Sequence, residues 1–274
     1  MKTKSLSIFL VALFVVEMNL GAEENNNKNE EGEDFKYKIM NVNNPIPFYF
    51  ELEMAVVGKD EVGKTQLGNR ICRNIFLEEK QKTIGFELNY LYFKIKNTSN
   101  ELVLRYQIWD CCGQAIYRSL VTTFCKKAKI FLFVYDVTNE ESFEDIKNWL
   151  EDVNKNATKG TKHFVLIGTK IDLEKERKIS KEDGEKFAEE NGMKFVEVSA
   201  KTGNGIKDLE DILAKIIYKE FKKKKKKKKE EDESNEKSDE IEIENDIKVD
   251  YMMGEEPTHS SSLCDCCKKI CENC

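Results

Sequence analysis

Gly58-Lys59-Asp60-Glu61-Val62-Gly63-Lys64-Thr65 spells G-x-x-x-x-G-K-[ST], the pattern of a loop that wraps a phosphate. An apolar run, Met54-Ala55-Val56-Val57, precedes it, and a helix-like segment from Gln66 to Ile75 follows. The pattern carries chemical meaning only in this strand–loop–helix setting. There the backbone N–H groups of the loop converge on an anion, and the helix N-terminus adds positive potential. Gly58, Asp60, Glu61, Val62, Gly63, Lys64, Thr65 and Gln66 are then the phosphate-side contacts. Lys64 reaches the outer phosphates and the Thr65 hydroxyl is available to Mg2+.

Working outward, strand and helix patterns alternate. Phe48 to Val57, Phe86 to Ile95 and Leu102 to Ile108 read as strands, the last two joined as a hairpin through Asn97-Thr98-Ser99-Asn100. Ile130 to Tyr135 is continuously apolar, the mark of a strand covered on both faces, and Phe164 to Ile167 and Phe195 to Val198 share that character. Helices are expected over 115–127, 142–154, 181–191 and 206–221, with capping-box spacings at Thr138/Glu141 and Ser180/Asp183. Such alternation predicts an α/β domain over 45–221: a six-stranded, mostly parallel sheet with one antiparallel edge strand and helices on both faces.

Both ends differ in composition. Residues 1–22 resemble a secretory signal, with Lys2 and Lys4 ahead of an uncharged Leu6–Val16. Residues 23–44 are Glu-, Asn- and Lys-rich and read as a disordered linker. Residues 222–274 read as a disordered tail: eight lysines at 222–229, an acidic stretch, then five of the nine cysteines in the last eleven residues. The net charge of −6 averages over these blocks and means little for the whole molecule. Neither His163 nor His259 has a partner at metal or triad spacing, and the cysteines make no secreted disulfide framework.

Further chemistry lies at strand ends and in loops. Thr83, eighteen residues after Thr65, can offer its hydroxyl to Mg2+ and its N–H to a γ-phosphate. Asp110 can hold Mg2+ through a water, Gly113 permits close approach of its N–H, and Gln114 can orient an attacking water. Thr169-Lys170-Ile171-Asp172 ends another strand, where the Asp172 carboxylate matches the N1–H and 2-amino edge of guanine. Ser199-Ala200-Lys201 can present backbone N–H groups to guanine O6.

With these motifs in order, the domain resembles a small GTPase of the Ras superfamily, and the Rab family most. Tyr135-Asp136-Val137-Thr138-Asn139-Glu140-Glu141-Ser142-Phe143, Thr83-Ile84-Gly85-Phe86-Glu87, Trp109 to Gln114 and Tyr117-Arg118-Ser119-Leu120 carry the resemblance. It implies a GTP/GDP switch with Mg2+ at Thr65, Thr83 and, through water, Asp110. It implies Gln114 and Lys64 as catalytic groups and Phe76 as the aromatic cover of the base. It further implies an exchange factor, an activating protein, effectors in vesicle traffic and the cytoplasmic face of endomembranes, with no role for nucleic acid. Lipidation of Cys271 or Cys274 follows from the same resemblance, although Cys271-Glu272-Asn273-Cys274 lacks the usual ending. Asp60-Glu61 stand where small residues are usual, Cys111-Cys112 where Thr-Ala is usual, Ala115 where Glu is usual, and Thr169 where Rab proteins more often have Asn. The two acidic residues predict slow, poorly activated hydrolysis. They also sustain an alternative, a nucleotide-locked scaffold. A luminal protein on the same fold, suggested by residues 1–22, would carry glycans at the Asn97 or Asn156 sequons.

Overall fold

The computed structural model describes residues 25–28, 34–40, 46–78, 83–96, 101–114, 123, 126–158, 160 and 162–235. The signal-like segment 1–22, most of the helix expected over 115–127, and Cys271 and Cys274 lie outside them.

The strands are β1 (Asn25–Lys28), β2 (Asp34–Met40), β3 (Phe50–Val57), β4 (Phe86–Lys96), β5 (Glu101–Cys111), β6 (Ile130–Asp136), β7 (His163–Thr169) and β8 (Lys194–Glu197). The helices are α1 (Lys64–Arg73), α2 (Glu140–Glu144), α3 (Ile146–Asn156), α4 (Lys181–Glu190) and α5 (Ile206–Asn235). One eight-stranded sheet runs in the order β1-β2-β4-β5-β3-β6-β7-β8. From β5 to β8 every neighbouring pair is parallel, whereas β4 is antiparallel to β5, β2 to β4, and β1 to β2.

Alternation sorts side chains onto two cores. Leu52, Met54 and Val56 of β3 join Leu104, Tyr106 and Ile108 of β5 beneath α1 and α5. The apolar stripe Ile206, Leu209, Leu213, Ile216 and Ile217 of α5 is buried there, as its spacing predicts. Ala55, Val57, Phe131, Phe133 and Tyr135 face the other side, against Trp149 of α3 and Phe187 of α4. All seven residues of β6 are buried, so its unbroken apolar run is a central strand covered on both faces.

Four expectations need correction. The 23–44 stretch contributes two strands, which makes the sheet eight-stranded and moves the antiparallel edge outward from β4 to β1. Within it Tyr37 and Ile39 alternate with Lys36 and Lys38, and only the former pair points inward to the core. Tyr37 packs its ring 5.6 Å from Phe93 and donates its hydroxyl to Asp211 of α5. Nothing in Asn25-Asn26-Asn27-Lys28 explains its strand beyond its pairing with β2. The helical run from 206 does not stop at Phe221 but continues to Asn235. Lysine is a good helix former, and extending a formed helix needs no new nucleus. The helix expected over 142–154 is broken at Asp145 into α2 and α3. Asn139, not Thr138, caps α2, accepting from the Ser142 N–H at 3.1 Å, because Thr138 gives its N–H and hydroxyl to Asp136. At α4 the Ser180 cap forms as its spacing predicts, accepting from the Asp183 N–H at 3.1 Å.

Tyr37→Ala is expected to destabilise the domain by about 3–5 kcal/mol, the range for deleting a buried aromatic ring. Tyr37→Phe, which leaves Asp211 without its hydroxyl partner, costs about 1 kcal/mol. Urea unfolding of the full chain measures both. Unchanged midpoints would mean that β2 is no part of the cooperative unit.

Candidate functional site

The conserved geometry of an open α/β sheet puts ligands at the carboxyl ends of strands, where chain connections diverge to either side. Here that point is β3, which lies between β5 and β6. The loop 58–63 leaves β3 there. Gly58 is held against the neighbouring strand so closely that a Cβ would stand 2.1 Å from the Val134 carbonyl oxygen. Gly63, at φ 96°, starts α1. Glu61 holds a left-handed φ of 61°, which costs a non-glycine residue about 1–2 kcal/mol. Both Asp60 and Glu61 are exposed at the mouth of the loop, and Lys59 turns aside to pair with Glu141 at the start of α2.

The Lys64 ammonium is buried inside the loop it closes, donating to the carbonyls of Gly58 (2.9 Å) and Lys59 (2.6 Å). Burial pushes its pKa down, opposed by the nearby Asp110 charge. Thr65 Oγ1 donates to Asp110 Oδ2 at 2.6 Å and lies 2.8 Å from Thr83 Oγ1. Thus α1, the segment before β4 and the end of β5 bring three oxygen-bearing side chains to one point. Asp110 is buried, and its Oδ1 has no hydrogen-bond partner among the described residues. Desolvation raises its carboxyl to about 6, with the Thr65 hydrogen bond and Lys64 charge pulling the other way. Gly113 follows, so close to the loop that a Cβ would stand 2.3 Å from the Asp60 nitrogen. Gln114 comes next, half-buried at the edge of the described chain.

A second cluster stands at the ends of β7 and β8. Thr169 Oγ1 lies 2.6 Å from the Val62 carbonyl and 2.8 Å from that of Tyr135, so this residue docks the phosphate-type loop onto the sheet. Lys170, at φ 63°, pairs with Asp136 at 2.6 Å. Asp172 Oδ1 accepts the Ser199 hydroxyl at 2.6 Å, which joins the two loops expected to read a base. Phe76 is half-buried between exposed Ile75 and Leu77. The Gln66 side chain grips Leu77 from both sides, donating to its carbonyl (2.8 Å) and accepting its N–H (3.0 Å). Gln66 therefore uses its side chain to hold the Phe76 segment.

Three further contacts join these segments. Arg70 reaches across to the Ala200 and Lys201 carbonyls. Arg177 forms a two-pronged pair with Glu197 (2.7 and 3.1 Å), stapling the 170–180 loop to β8. Lys59 and Glu141 tie the loop to α2. None has a spacing signature, because each joins segments far apart in sequence.

A family model described as the Ras family matches residues 53–219. The chain belongs to the Ras family. Its relatives place it on the Rab branch of small GTPases. Ras-related protein RabC of Dictyostelium discoideum is 34% identical over 165 residues, 60% of this chain and 83% of that protein. Ras-related protein Rab-13 of Canis lupus familiaris is 34% identical over 166 residues, 60% and 79% respectively. Ras-related protein Rab-12 of Mus musculus is 35% identical over 135 residues, 49% of this chain and 53% of the relative.

Membership of this small GTPase family implies a guanine nucleotide with Mg2+, and the residues of this Rab-related chain fit both. Asp110 Oδ1 is a buried acceptor with a lone pair to give, flanked by the Thr65 and Thr83 hydroxyls. Burial disfavours the charged forms of Lys64 and Asp110 alike. A phosphate beside the first and a divalent cation beside the second would supply the opposite charges that hold both ionised. Among the described residues no three His, Cys, Asp or Glu side chains cluster as a metal site. Among those residues no helix is long and apolar enough to cross a membrane.

Proposed function

We propose that the chain is a Rab-type GTP-binding switch that binds and slowly hydrolyses GTP to GDP. The observation that carries this reading is the meeting of Thr65, Thr83 and Asp110 from three separate elements beside a buried Lys64. Thr65 and Thr83 would hold Mg2+ directly and Asp110 through a water, and the bound ion would neutralise charge on the phosphate oxygens. Backbone N–H groups of residues 60–65 cradle the phosphates. Lys64 moves from the Gly58 and Lys59 carbonyls to the outer phosphate oxygens, and Gly113 offers its N–H to the γ-phosphate. Gln114 orients the water that attacks it. Asp172 reads the guanine N1–H and 2-amino group, Ser199, Ala200 and Lys201 surround O6, and Phe76 covers the ring.

Thr83 and Gly113 would both contact the terminal phosphate, so loss of that phosphate would loosen the segments that carry them. Such a switch works through an exchange factor, an activating protein and effectors in vesicle traffic. A lipid on Cys271 or Cys274 would place it on the cytoplasmic face of an endomembrane. The exposed Asp60 and Glu61 keep a second reading in play, a G domain locked in one nucleotide state. Chromatography of the nucleotide released from the purified full chain, followed by its turnover, separates these. Stoichiometric GDP and slow phosphate release are expected; retained GTP means a locked scaffold, and absence of nucleotide overturns the reading.

Protons should compete with Mg2+ at Asp110. Its raised value means that the protonated form favours the folded state. That contribution is complete at acid pH and lost as pH rises through about 6. A cation that needs the ionised form therefore binds less well below that point. Apparent Mg2+ affinity, read from the Mg2+ dependence of GDP release, is expected to be flat above about pH 7 and to fall up to about tenfold per pH unit well below 6. Asp110→Asn should remove the slope; a slope that survives it would place the titrating group elsewhere.

A further inference from the structure

Arg70 stands on the last turns of α1, away from the phosphate and metal groups, and no step of the proposed hydrolysis uses it. Its guanidinium nevertheless engages two segments that would flank the base. Nε donates to the Ala200 carbonyl at 2.6 Å and Nη2 to the Lys201 carbonyl at 3.1 Å. Nη1 donates to the Asn74 carbonyl (3.1 Å) and to the Asn74 side-chain oxygen (3.0 Å). Asn74 caps α1 in a left-handed conformation, φ 54°, and leads two residues on to Phe76.

Peptide geometry gives these contacts a consequence for recognition. In a trans peptide the C=O and the N–H of the next residue point in opposite directions. The Ser199 carbonyl accepts from the Gly203 N–H at 2.8 Å, so the Ala200 N–H faces away from Gly203. The Ala200 carbonyl accepts from Arg70, so the Lys201 N–H faces away from Arg70. The next N–H, that of Thr202, is taken by Ser199 Oγ at 3.1 Å. Loop-internal bonds thus fix the Ala200 and Thr202 N–H groups, while the aim of the Lys201 N–H depends on a residue from another element.

We propose that Arg70 is a positioning residue for base recognition. It aims the Lys201 N–H at the purine 6-position. Through Asn74 it also couples that loop to the aromatic cover at Phe76, so it governs both discrimination at the 6-position and the rate of nucleotide release. This rests on the guanine-nucleotide reading above. Lysine is no substitute, since one ammonium cannot reproduce a planar fork that spans acceptors on two segments.

The test uses the full chain as wild type, Arg70→Lys and Arg70→Gln. Release of a fluorescent GDP is followed under excess unlabelled GDP. Competition is then measured with GDP, inosine diphosphate, which lacks the 2-amino group, and 6-thioguanosine diphosphate, which replaces O6 with a poor acceptor. Both variants are expected to release GDP at least tenfold faster. They should lose at least fivefold of the preference for GDP over the 6-thio analogue while keeping the preference over inosine diphosphate. An equal fall in both preferences would mean that Arg70 only supports the fold, and would overturn the proposal. So would an Arg70→Lys protein indistinguishable from wild type; this variant keeps the positive charge near the helix end and carries the test if Arg70→Gln does not fold. A wild-type protein that binds GDP no better than ADP would instead overturn the guanine reading itself.

Discussion

Asp60→Gly is expected to raise activator-stimulated GTP hydrolysis by about 10³-fold or more, with a smaller rise in the unstimulated rate. The loop backbone at Asp60 lies against Gly113, where a Cβ would stand 2.3 Å from the Asp60 nitrogen, so Asp60 neighbours the Gly113-Gln114 segment. In the proposed hydrolysis an attacking water, the Gln114 amide and any group inserted by an activating protein would share that space. An inserted arginine is worth about 10³–10⁵ in rate, roughly 4–7 kcal/mol. Charge contributes a separate, smaller amount. A carboxylate roughly 8 Å from a terminal phosphate, at an effective dielectric of about 20, opposes binding by about 2 kcal/mol, or about 30-fold. The two effects separate in Asp60→Asn, which removes charge but not bulk. It should recover no more than about 30-fold in nucleotide affinity, and only glycine should restore the activator-stimulated rate. Nucleotide titration reads the first, and single-turnover phosphate release, with and without an activating protein for Rab GTPases, reads the second. Wild-type protein already stimulated as strongly as Asp60→Gly would remove the basis for slow turnover.

The parts of the fold that were legible are those where chemistry and local pattern coincide. Gly58, Gly63, Lys64 and Thr65 sit where an apolar strand meets a helix, Asp110 closes the alternating β5, and Asp172 and Ser199 follow β7 and β8. The parts that were not legible lacked one of these two signals. Phe35, Tyr37 and Ile39 alternate for only five residues inside a Glu-, Asn- and Lys-rich stretch. Composition pointed to disorder, while a waiting β4 edge and Asp211 of α5 decided for a strand. The lysine run gave no apolar stripe, yet it continued a helix already nucleated by Ile206–Ile217. Thr138 has the cap spacing to Glu141, yet the nearby Asp136 carboxylate engages it and the cap passes to Asn139. Arg70 and Arg177 act through contacts more than a hundred and about twenty residues distant respectively, which no local pattern encodes.

Asp172→Asn is expected to cut GDP affinity by about 10³–10⁴ and to make xanthosine diphosphate the preferred ligand. The size follows from leaving buried donors of the base unmatched, which costs far more than losing an apolar contact. The direction follows from Ser199. Its hydroxyl accepts the Thr202 N–H at 3.1 Å and so turns its own proton to Asp172, at 2.6 Å. An asparagine there must give its carbonyl oxygen to Ser199, which leaves its NH2 group facing the base. Guanine presents donors along that edge, at N1 and at the 2-amino group, and donor meets donor. Xanthine presents a carbonyl at the 2-position, and donor meets acceptor. Displacement of a fluorescent GDP by GDP and by xanthosine diphosphate, at fixed Mg2+ concentration, reads the inversion. In the double variant Ser199→Ala/Asp172→Asn the amide is free to rotate, so the preference for xanthine should shrink toward parity. A single Asp172→Asn protein that still prefers GDP would show that this carboxylate does not read the base edge, and the guanine specificity would have to come from the Ser199–Lys201 loop alone.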